Sequence, residues 1–372
     1  MHDSRYLIKH PERLYSPSLV IFKEQVAKNL ALMIEIAGSV DRLRPHCKTH
    51  KMAAVIRWQL ELGITRHKCA TLAEAEMLCE CGVTDIVLAY PPVGPNVQRV
   101  RSLMNAYPHL HLIVTADHPL VLEQLSRELK DADRELGVLL DVNTGMNRTG
   151  INLGSAAIDL YRALNDLPGL RPEGLHVYDG HHRQADREVR CQAVATLWQE
   201  VLAFKRQLTE QGFEVPRIVA GGTGSFPCFA QWDEPGLELS PGTIVFFDAG
   251  YQQAFPDLKF QPASLLLTRV ISRPAPDLLT LDLGHKACAA DPPAGSRLLF
   301  PDLPDKEEVQ QNEEHLVIRS KLADRYQPGD ALLAIPWHAC PTSAVHQMAY
   351  VIEHGEWVET WEVTARDRVL TF

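Results

Sequence analysis

The sequence lacks long apolar runs, blocks of like charge and the apolar core of a signal peptide. No hydrophobic stretch approaches the roughly 20 residues of a membrane span, and residues 1–18 have no signal-peptide core. The net charge of -10 includes no basic patch of the kind that nucleic acids and anionic membranes require. We therefore expect a cytoplasmic protein that binds neither nucleic acid nor membrane.

A cysteine framework is also missing. The eight cysteines are scattered singly through 372 residues, which favours reduced thiols over a disulfide scaffold. Cys79 and Cys81 lie two apart in a segment of helical pattern, so their side chains diverge instead of meeting at a metal ion.

Short apolar segments alternate with helical patterns from Ser18 to about Phe226. Eight such repeats predict a parallel (β/α)8 barrel of the TIM type. A doubly wound open sheet is the alternative, but no G-x-G-x-x-G follows the first strand. The predicted strands are residues 19–22, 43–47, 68–70, 86–89, 112–115, 138–142, 175–178 and 218–220.

The pattern changes near Leu239, where short strands separated by Pro/Gly-rich turns replace the alternation. One predicted hairpin has its tip at Gly355 and Glu356. This predicts a mainly antiparallel β domain over residues 239–372, after a barrel over residues 16–238, with residues 1–15 packing on the β domain.

A lysine between two histidines stands out in the stretch 44–51. Because side chains alternate along an extended segment, Arg44, His46 and Lys48 are expected to share a face. A lysine held beside imidazoles is a candidate for Schiff-base chemistry, although a solvated basic turn is the alternative interpretation. Lys286 is the strongest rival, whereas Lys68 begins its strand and Lys51 falls in the next helix.

Functional groups of a barrel sit where strands end. The last predicted strand is followed by Gly-Gly-Thr-Gly-Ser (221–225), whose backbone N–H groups and hydroxyls suit an anion such as phosphate. Together with Lys48, this loop implies pyridoxal 5'-phosphate (PLP). Arg148 could donate to the phenolic oxygen of PLP or form an ion pair at the rim.

The motifs Pro-His-x-Lys-Thr-His-Lys, Asp-x-x-x-Gly-x-x-Arg-x-Gly, Gly-Gly-Thr-Gly-Ser, Pro-Gly-Thr and Pro-x-His-x-Cys-Pro-Thr follow one another between about Ser16 and Arg366. In this order the chain resembles the D-threonine aldolase / D-serine dehydratase family, fold-type III PLP enzymes with an alanine racemase-like barrel. The resemblance implies that Lys48 bonds PLP and that Tyr178 lies beside it. It further implies a homodimer and a phosphate site formed by Thr223, Gly224, Ser225, Gly242 and Thr243.

The resemblance also implies a divalent metal on His338 and Cys340. Residues two apart on an extended segment share a face, so both side chains could bind one ion. Imidazole and thiolate suit zinc, whereas manganese prefers oxygen ligands.

The predicted substrate is a D-amino acid with a 3-hydroxyl group. We expect retro-aldol cleavage to glycine and an aldehyde, with His50 or His181 as the base. Dehydration of D-serine or a related amino acid to a keto acid and ammonia is the alternative, and Cys340 resembles the dehydratase branch. An amino-acid racemase or a PLP carrier without turnover is a further alternative.

Overall fold

The structure is a computed structural model, and it describes residues 4–372. The chain divides into two compact units. The barrel unit consists of Ile34–Lys48, Val55–Gly242 and Asp367–Phe372. The β unit holds the residues up to Met33, Thr49–Ala54 and Thr243–Arg366. The division predicted between residues 238 and 239 stays a prediction.

The described chain begins with short 3-10 helices at Ser4–Tyr6 and Pro11–Arg13. Strand β1 (Ser18–Phe22) and helix α1 (Lys23–Ala37) follow. Further 3-10 turns lie at Val40–Arg42 and Cys47–Thr49, where sequence patterning predicted one continuous strand leading into a helix.

The barrel unit contains a seven-stranded parallel sheet whose spatial order follows the chain. Its strands are β2 (Arg66–Cys69), β3 (Asp85–Leu88), β4 (His111–Ala116), β5 (Leu136–Val142), β6 (Leu170–Val177), β7 (Ile218–Ala220) and β8 (Leu237–Leu239).

Residues 43–46 join the two edges of this sheet. Leu43 forms a parallel bridge with Leu239 of β8, and His46 forms one with Lys68 of β2. The backbone N–H of Arg44 donates to Leu239 O at 2.8 Å, and that of Lys68 donates to Pro45 O at 2.9 Å. The segment thus pairs with both edge strands, which confirms the predicted barrel-type fold.

Two details of the predicted strand count were wrong. Residues 19–22 form β1, which pairs within the sheet of the β unit, and β8 supplies the strand that the prediction omitted. The glycine-rich loop 221–225 therefore follows the last but one strand of the barrel. The three residues of β8 are too few for a periodicity to show.

Helices follow most strands of the barrel unit and bury apolar faces. Val121, Leu122, Leu125 and Leu129 of α5, for example, are all buried. Thr71 caps α3 by accepting a hydrogen bond from the N–H of Glu74. The helices are α2 (Ala53–Glu61), α3 (Leu72–Glu80), α4 (Pro95–Ala106), α5 (Pro119–Leu129), α6 (Ser155–Asp166), α7 (Arg187–Glu210) and α8 (Phe226–Phe229).

The β unit holds a mixed, mostly antiparallel sheet, as predicted, in which β1 runs parallel to β15. Helices α9 (Ala249–Ala254) and α10 (Ala339–Val345) complete it. The predicted hairpin at Gly355 is confirmed by the pairing of β15 with β16. Its further strands are β9 (Ser264–Ala275), β10 (Leu278–Leu281), β11 (Leu298–Leu299), β12 (Glu307–Gln311), β13 (Leu316–Arg319), β14 (Ala331–Pro336), β15 (Met348–Glu353) and β16 (Glu356–Glu362).

Two cysteines are paired. Cys191 of α7 and Cys228 of α8 form a disulfide with their Cα atoms 5.2 Å apart, so the expectation of reduced thiols throughout is wrong for them. Sequence spacing could not reveal a pair that two packed helices bring together across 37 positions. None of the described helices is long and apolar enough to cross a membrane.

A buried ionic cluster lies at the amino ends of the barrel strands. The fully buried guanidinium of Arg44 donates to Glu238 and, at 2.9 Å, to Asp85. Arg217 pairs with Glu173 at 2.8 Å and also approaches Asp85. Charges buried in this way persist because each has an opposite partner.

Replacing Arg44 with Met tests this cluster. The change removes the fully buried cation beside Glu238, which keeps Arg66 at 2.9 Å and Arg217 at 3.6 Å. It should therefore lower the free energy of unfolding by about 3 kcal/mol, at the lower end of the effect of breaking a buried ion pair, measured by urea denaturation. Replacing the exposed Arg319, which pairs with Asp277, is the control and should hardly move the urea midpoint. Equal midpoints for the Arg44 variant and the unaltered protein would contradict the assignment.

Candidate active site

Three cations surround the ring of Tyr178, which follows β6 in the barrel unit. The Nζ atom of Lys48 lies 5.8 Å from the ring centroid and that of Lys68 lies 6.0 Å away. The guanidinium carbon of Arg148 is 4.7 Å from the same centroid. The structure thus brings together Lys48, Arg148 and Tyr178, as the sequence predicted, and adds Lys68.

The glycine-rich loop lies against the same tyrosine. A Cβ on Gly222 would be 3.1 Å from the Tyr178 ring, so a side chain there would crowd it. The neighbouring Asp179 carboxylate accepts a hydrogen bond from Ser225 Oγ at 2.6 Å, and Thr223 and Ser225 are both buried. The loop therefore combines close backbone approach with the Thr223 hydroxyl at the barrel end that carries Lys48, whereas the Ser225 hydroxyl donates to Asp179.

A buried histidine in this unit has one unpaired ring nitrogen. His176 Nδ1 is 2.7 Å from Asp141 Oδ1, whereas His176 Nε2 is buried and has no hydrogen-bond partner among the described residues. A buried ring nitrogen left unpaired is costly. The sequence showed His176 at a strand end but no signal for its role, because its pairing with Asp141 depends on the register of β5 and β6.

These residues fit PLP. An amine, an aromatic ring, two further cations, a glycine-rich loop with hydroxyls and an unpaired imidazole nitrogen match an aromatic aldehyde that carries a phosphate. Gly242 also belongs to the barrel unit, whereas Thr243 begins a 3-10 turn of the β unit.

Lys68 was set aside in the sequence because it starts its predicted strand. In the structure it is the third residue of β2 and only 3% exposed. Burial, followed by repulsion from Lys48, lowers the pKa of Lys68 to about 7, although Asp141 acts in the opposite direction. The sequence did not indicate that Lys68 is buried, because basic residues precede it in the chain.

The two predicted bases have different surroundings. His50 belongs to the β unit, is 1% exposed, and its Nδ1 accepts a hydrogen bond from the N–H of Met52 at 3.1 Å. Burial lowers the pKa of His50 to about 3. His181 in the barrel unit is exposed, with its ring centroid 4.2 Å from that of His182. Burial of part of the ring and then His182 lower the pKa of His181.

The predicted metal ligands lie at the start of α10 in the β unit. His338 is the N-cap residue and Cys340 is in the first turn, so the extended geometry assumed from sequence was wrong beyond His338. Burial lowers the pKa of His338, but hydrogen bonds with Cys340 and Asp291 outweigh it and raise the pKa to about 9. The His338 Nδ1 to Asp291 Oδ2 distance is 2.7 Å.

Cys340 Sγ lies 3.1 Å from Thr49 Oγ1 and 3.7 Å from Thr243 Oγ1. An imidazole, a thiolate and a nearby carboxylate are a donor set that fits zinc. The barrel unit contains a second set of metal-type donors, His46, Cys47 and Glu74, whose ligand atoms lie within 4.8 Å of one another. Glu74 has no distinguishing signal in the sequence, because it stands within an ordinary helical pattern.

Comparison with known proteins matches both parts of the chain. The family model for the alanine racemase N-terminal domain matches residues 21–249, and that for a putative serine dehydratase domain matches residues 263–352. D-threonine aldolase of Arthrobacter sp is 31% identical over 364 residues, covering 95% of this chain and 93% of the relative. D-threo-3-hydroxyaspartate dehydratase of Delftia sp. (strain HT23) is 24% identical and covers 94% and 97%.

A solved structure agrees with these matches. The crystal structure of D-threonine aldolase from Filomicrobium marinum superposes with a TM-score of 0.89 at 28% identity, covering 99% of this chain and 100% of that one. Aldolases and dehydratases thus share this two-part chain and its fold.

Replacing Lys68 with Met tests the cost of the buried amine. Because the folded-state pKa lies below that of the unfolded chain, the destabilisation is complete below pH 7 and fades as pH rises towards 10.5. The charged and titratable groups around Lys68 are Lys48, Asp141, Arg44, Arg148, His176 and Tyr178. Without PLP, the variant should be more stable at pH 7 by on the order of a few kcal/mol.

Urea unfolding of the cofactor-free proteins between pH 6.5 and about 10 measures this effect. The stability difference should shrink as pH rises. A constant difference across that range would show that Lys68 is not a buried, weakly basic amine.

Proposed function

We propose that this chain, which belongs to the family of the alanine racemase N-terminal domain, is a PLP-dependent lyase that cleaves D-3-hydroxy amino acids as D-threonine aldolase does. The observation that supports this most is the meeting of Lys48, Arg148 and the glycine-rich loop at Tyr178. Aldolase and dehydratase relatives covering over nine-tenths of the chain agree on an enzyme of the lyase class.

In this proposal Lys48 provides the amine that bonds PLP, and Arg148 donates to its phenolic oxygen. The phosphate is held by Thr223, Gly224 and Ser225. Gly242 and Thr243 remain predicted phosphate ligands on the resemblance of their Pro-Gly-Thr motif. When bound, PLP supplies an electron sink for the charge that bond cleavage leaves at Cα.

The chain's own task in cleavage is to take the proton of the 3-hydroxyl group. His181 suits this task better than His50, because its exposed ring has a lowered pKa and is neutral at physiological pH. The ring of His50 is buried against Phe246, with centroids 6.1 Å apart. The Cα–Cβ electron pair then stays on Cα, and the β carbon leaves as an aldehyde.

Zinc held by His338 and Cys340 would supply Lewis acidity for the 3-hydroxyl group. Manganese is the alternative ion, but the thiolate favours zinc. Asp291, hydrogen-bonded to His338, would hold the imidazole in orientation. A homodimer is part of the same proposal and can be measured by sedimentation.

Dehydration is the second candidate function, and two observations favour it. Residues 263–352 match the serine dehydratase domain model. In addition, position 340 carries a cysteine, which resembles the dehydratase branch of the family. In that reaction an active-site base such as Lys48 removes the α-proton while the 3-hydroxyl departs, and hydrolysis then yields a keto acid and ammonia.

Incubation of the pure, PLP-loaded protein with D-threonine and D-serine tests both candidates. We expect glycine and acetaldehyde from D-threonine, detected by chromatography and by alcohol dehydrogenase coupling. Accumulation of 2-oxobutanoate or pyruvate instead would establish the dehydratase. Neither product from either substrate would contradict both, and α-proton exchange without cleavage would indicate a racemase.

Replacing Lys48 with Ala should abolish the absorbance of lysine-bound PLP, whereas the matched Lys286→Ala variant should retain it. Lys286 is exposed and pairs with Glu314 at 3.0 Å. A band that survives in the first variant and disappears in the second would assign the cofactor to Lys286.

The Cys340→Ala variant should retain the PLP band and lose activity that depends on added metal, by about 100-fold or more. Metal content measured by atomic absorption should fall with it. Full activity of the unaltered protein in chelator would remove the metal from the mechanism.

A further inference from the structure

Lys68 is a buried amine with no ion-pair partner among the described residues. Among the residues that the structure describes, it forms no ion pair or hydrogen bond through its amine. The neighbouring carboxylate of Asp141 is engaged by His176 at 2.7 Å. An unpaired ammonium in the interior is strongly disfavoured unless a ligand supplies the missing charge.

The side chain of Lys68 faces the barrel interior. In the register of β2 and β3 it lies opposite Val87, which packs in one apolar cluster with Ile113, Leu139 and Val219 of other barrel strands. Its amine is within 6.0 Å of the Tyr178 ring centroid, as that of Lys48 is. Lys68 therefore lies beside the same aromatic ring, and so at the same proposed site, as the lysine proposed to bond PLP.

Two anionic groups of PLP are expected at this site, and both already have proposed partners. The phosphate has the loop 221–225, and the phenolic oxygen has Arg148, whose side chain is exposed at the barrel end. The carboxylate of an amino-acid substrate is the remaining anion, and it has no assigned partner. A charge-assisted hydrogen bond from a buried ammonium is a strong contact for a carboxylate.

We propose that Lys68 receives the α-carboxylate of the D-amino acid substrate. The inference rests on the proposed function, because it takes the cofactor to be bound through Lys48. Its consequence is that the protein binds amines with a carboxylate more tightly than amines without one. Entry of the carboxylate also favours the charged form of Lys68, so binding near neutral pH takes up a proton from solvent.

A pair of unreactive amines isolates this contact. D-alanine and D-alaninol have the same amine and methyl group, and only D-alanine has the carboxylate. D-alanine has no hydroxyl group, and in D-alaninol the hydroxymethyl group takes the place of the carboxylate, so the methyl carbon that corresponds to C3 of the substrate has no hydroxyl group in either amine. Their dissociation constants follow from titrating the absorbance of the PLP-loaded protein, without any measurement of turnover.

The unaltered protein should bind D-alanine at least about 10- to 100-fold more tightly than D-alaninol. In Lys68→Met this preference should fall to near unity, and Lys68→Arg should restore part of it. Lys130→Met, which alters an exposed lysine at the end of α5, should behave as the unaltered protein does. PLP content and absorbance should be the same in all four proteins.

Proton uptake gives an independent readout. Calorimetric titration of D-alanine in two buffers that differ in ionisation enthalpy should show proton uptake with the unaltered protein and less with Lys68→Met. D-alaninol should show no such difference between the two proteins.

Other outcomes overturn the inference in distinguishable ways. A preference for D-alanine that persists in Lys68→Met would place the carboxylate elsewhere. A changed PLP spectrum with an unchanged preference would assign Lys68 to the cofactor. If the unaltered protein takes up no PLP, the proposed function itself is wrong, which no variant at Lys68 could show.

Discussion

The barrel unit depends on the pairing of residues 43–46 with both edges of its sheet. Backbone hydrogen bonds from this one segment reach Leu239 of β8 and Lys68 of β2. Because the segment runs parallel to both edge strands, it sets Arg44 at the amino ends of the strands and Lys48 at Tyr178. The buried ion pairs of Arg44 and the cations around Tyr178 therefore lie at opposite ends of one short segment.

The two ends of the barrel unit differ in how the charges of their cations are balanced. At the amino ends, Arg44 and Arg217 are neutralised by Glu238, Asp85 and Glu173. At the carboxyl ends, Lys48, Lys68 and Arg148 gather around one aromatic ring and form no ion pair among the described residues. In a chain of net charge -10, this local excess of positive charge is suited to a phosphate and a carboxylate.

Cleavage and dehydration share most of what this arrangement provides. In the proposed function, both would use the amine of Lys48, a neutralised phosphate and a fixed substrate carboxylate. They differ in which bond breaks, and thus in which proton is removed and by which base. Relatives of both kinds match the chain over more than nine-tenths of its length.

The sequence alone determined the fold class, and it predicted the cofactor lysine and the phosphate loop, because all three depend on local patterns. Strand alternation is visible in consecutive residues, and Lys48, Arg148 and the loop 221–225 lie in short motifs at strand ends. The proposed metal motif was equally local, although its helical setting at Cys340 was not.

Only the tertiary structure decided the rest, because burial and pairing between distant segments leave no periodic signal. It placed β1 in the other sheet, inserted β8 into the barrel and paired Cys191 with Cys228. It also turned Lys68 from a charged residue in a short strand into a buried amine beside Tyr178. The proposed role of Lys68 depends on the side chains around it in the closed barrel, and these side chains are not its neighbours in the chain.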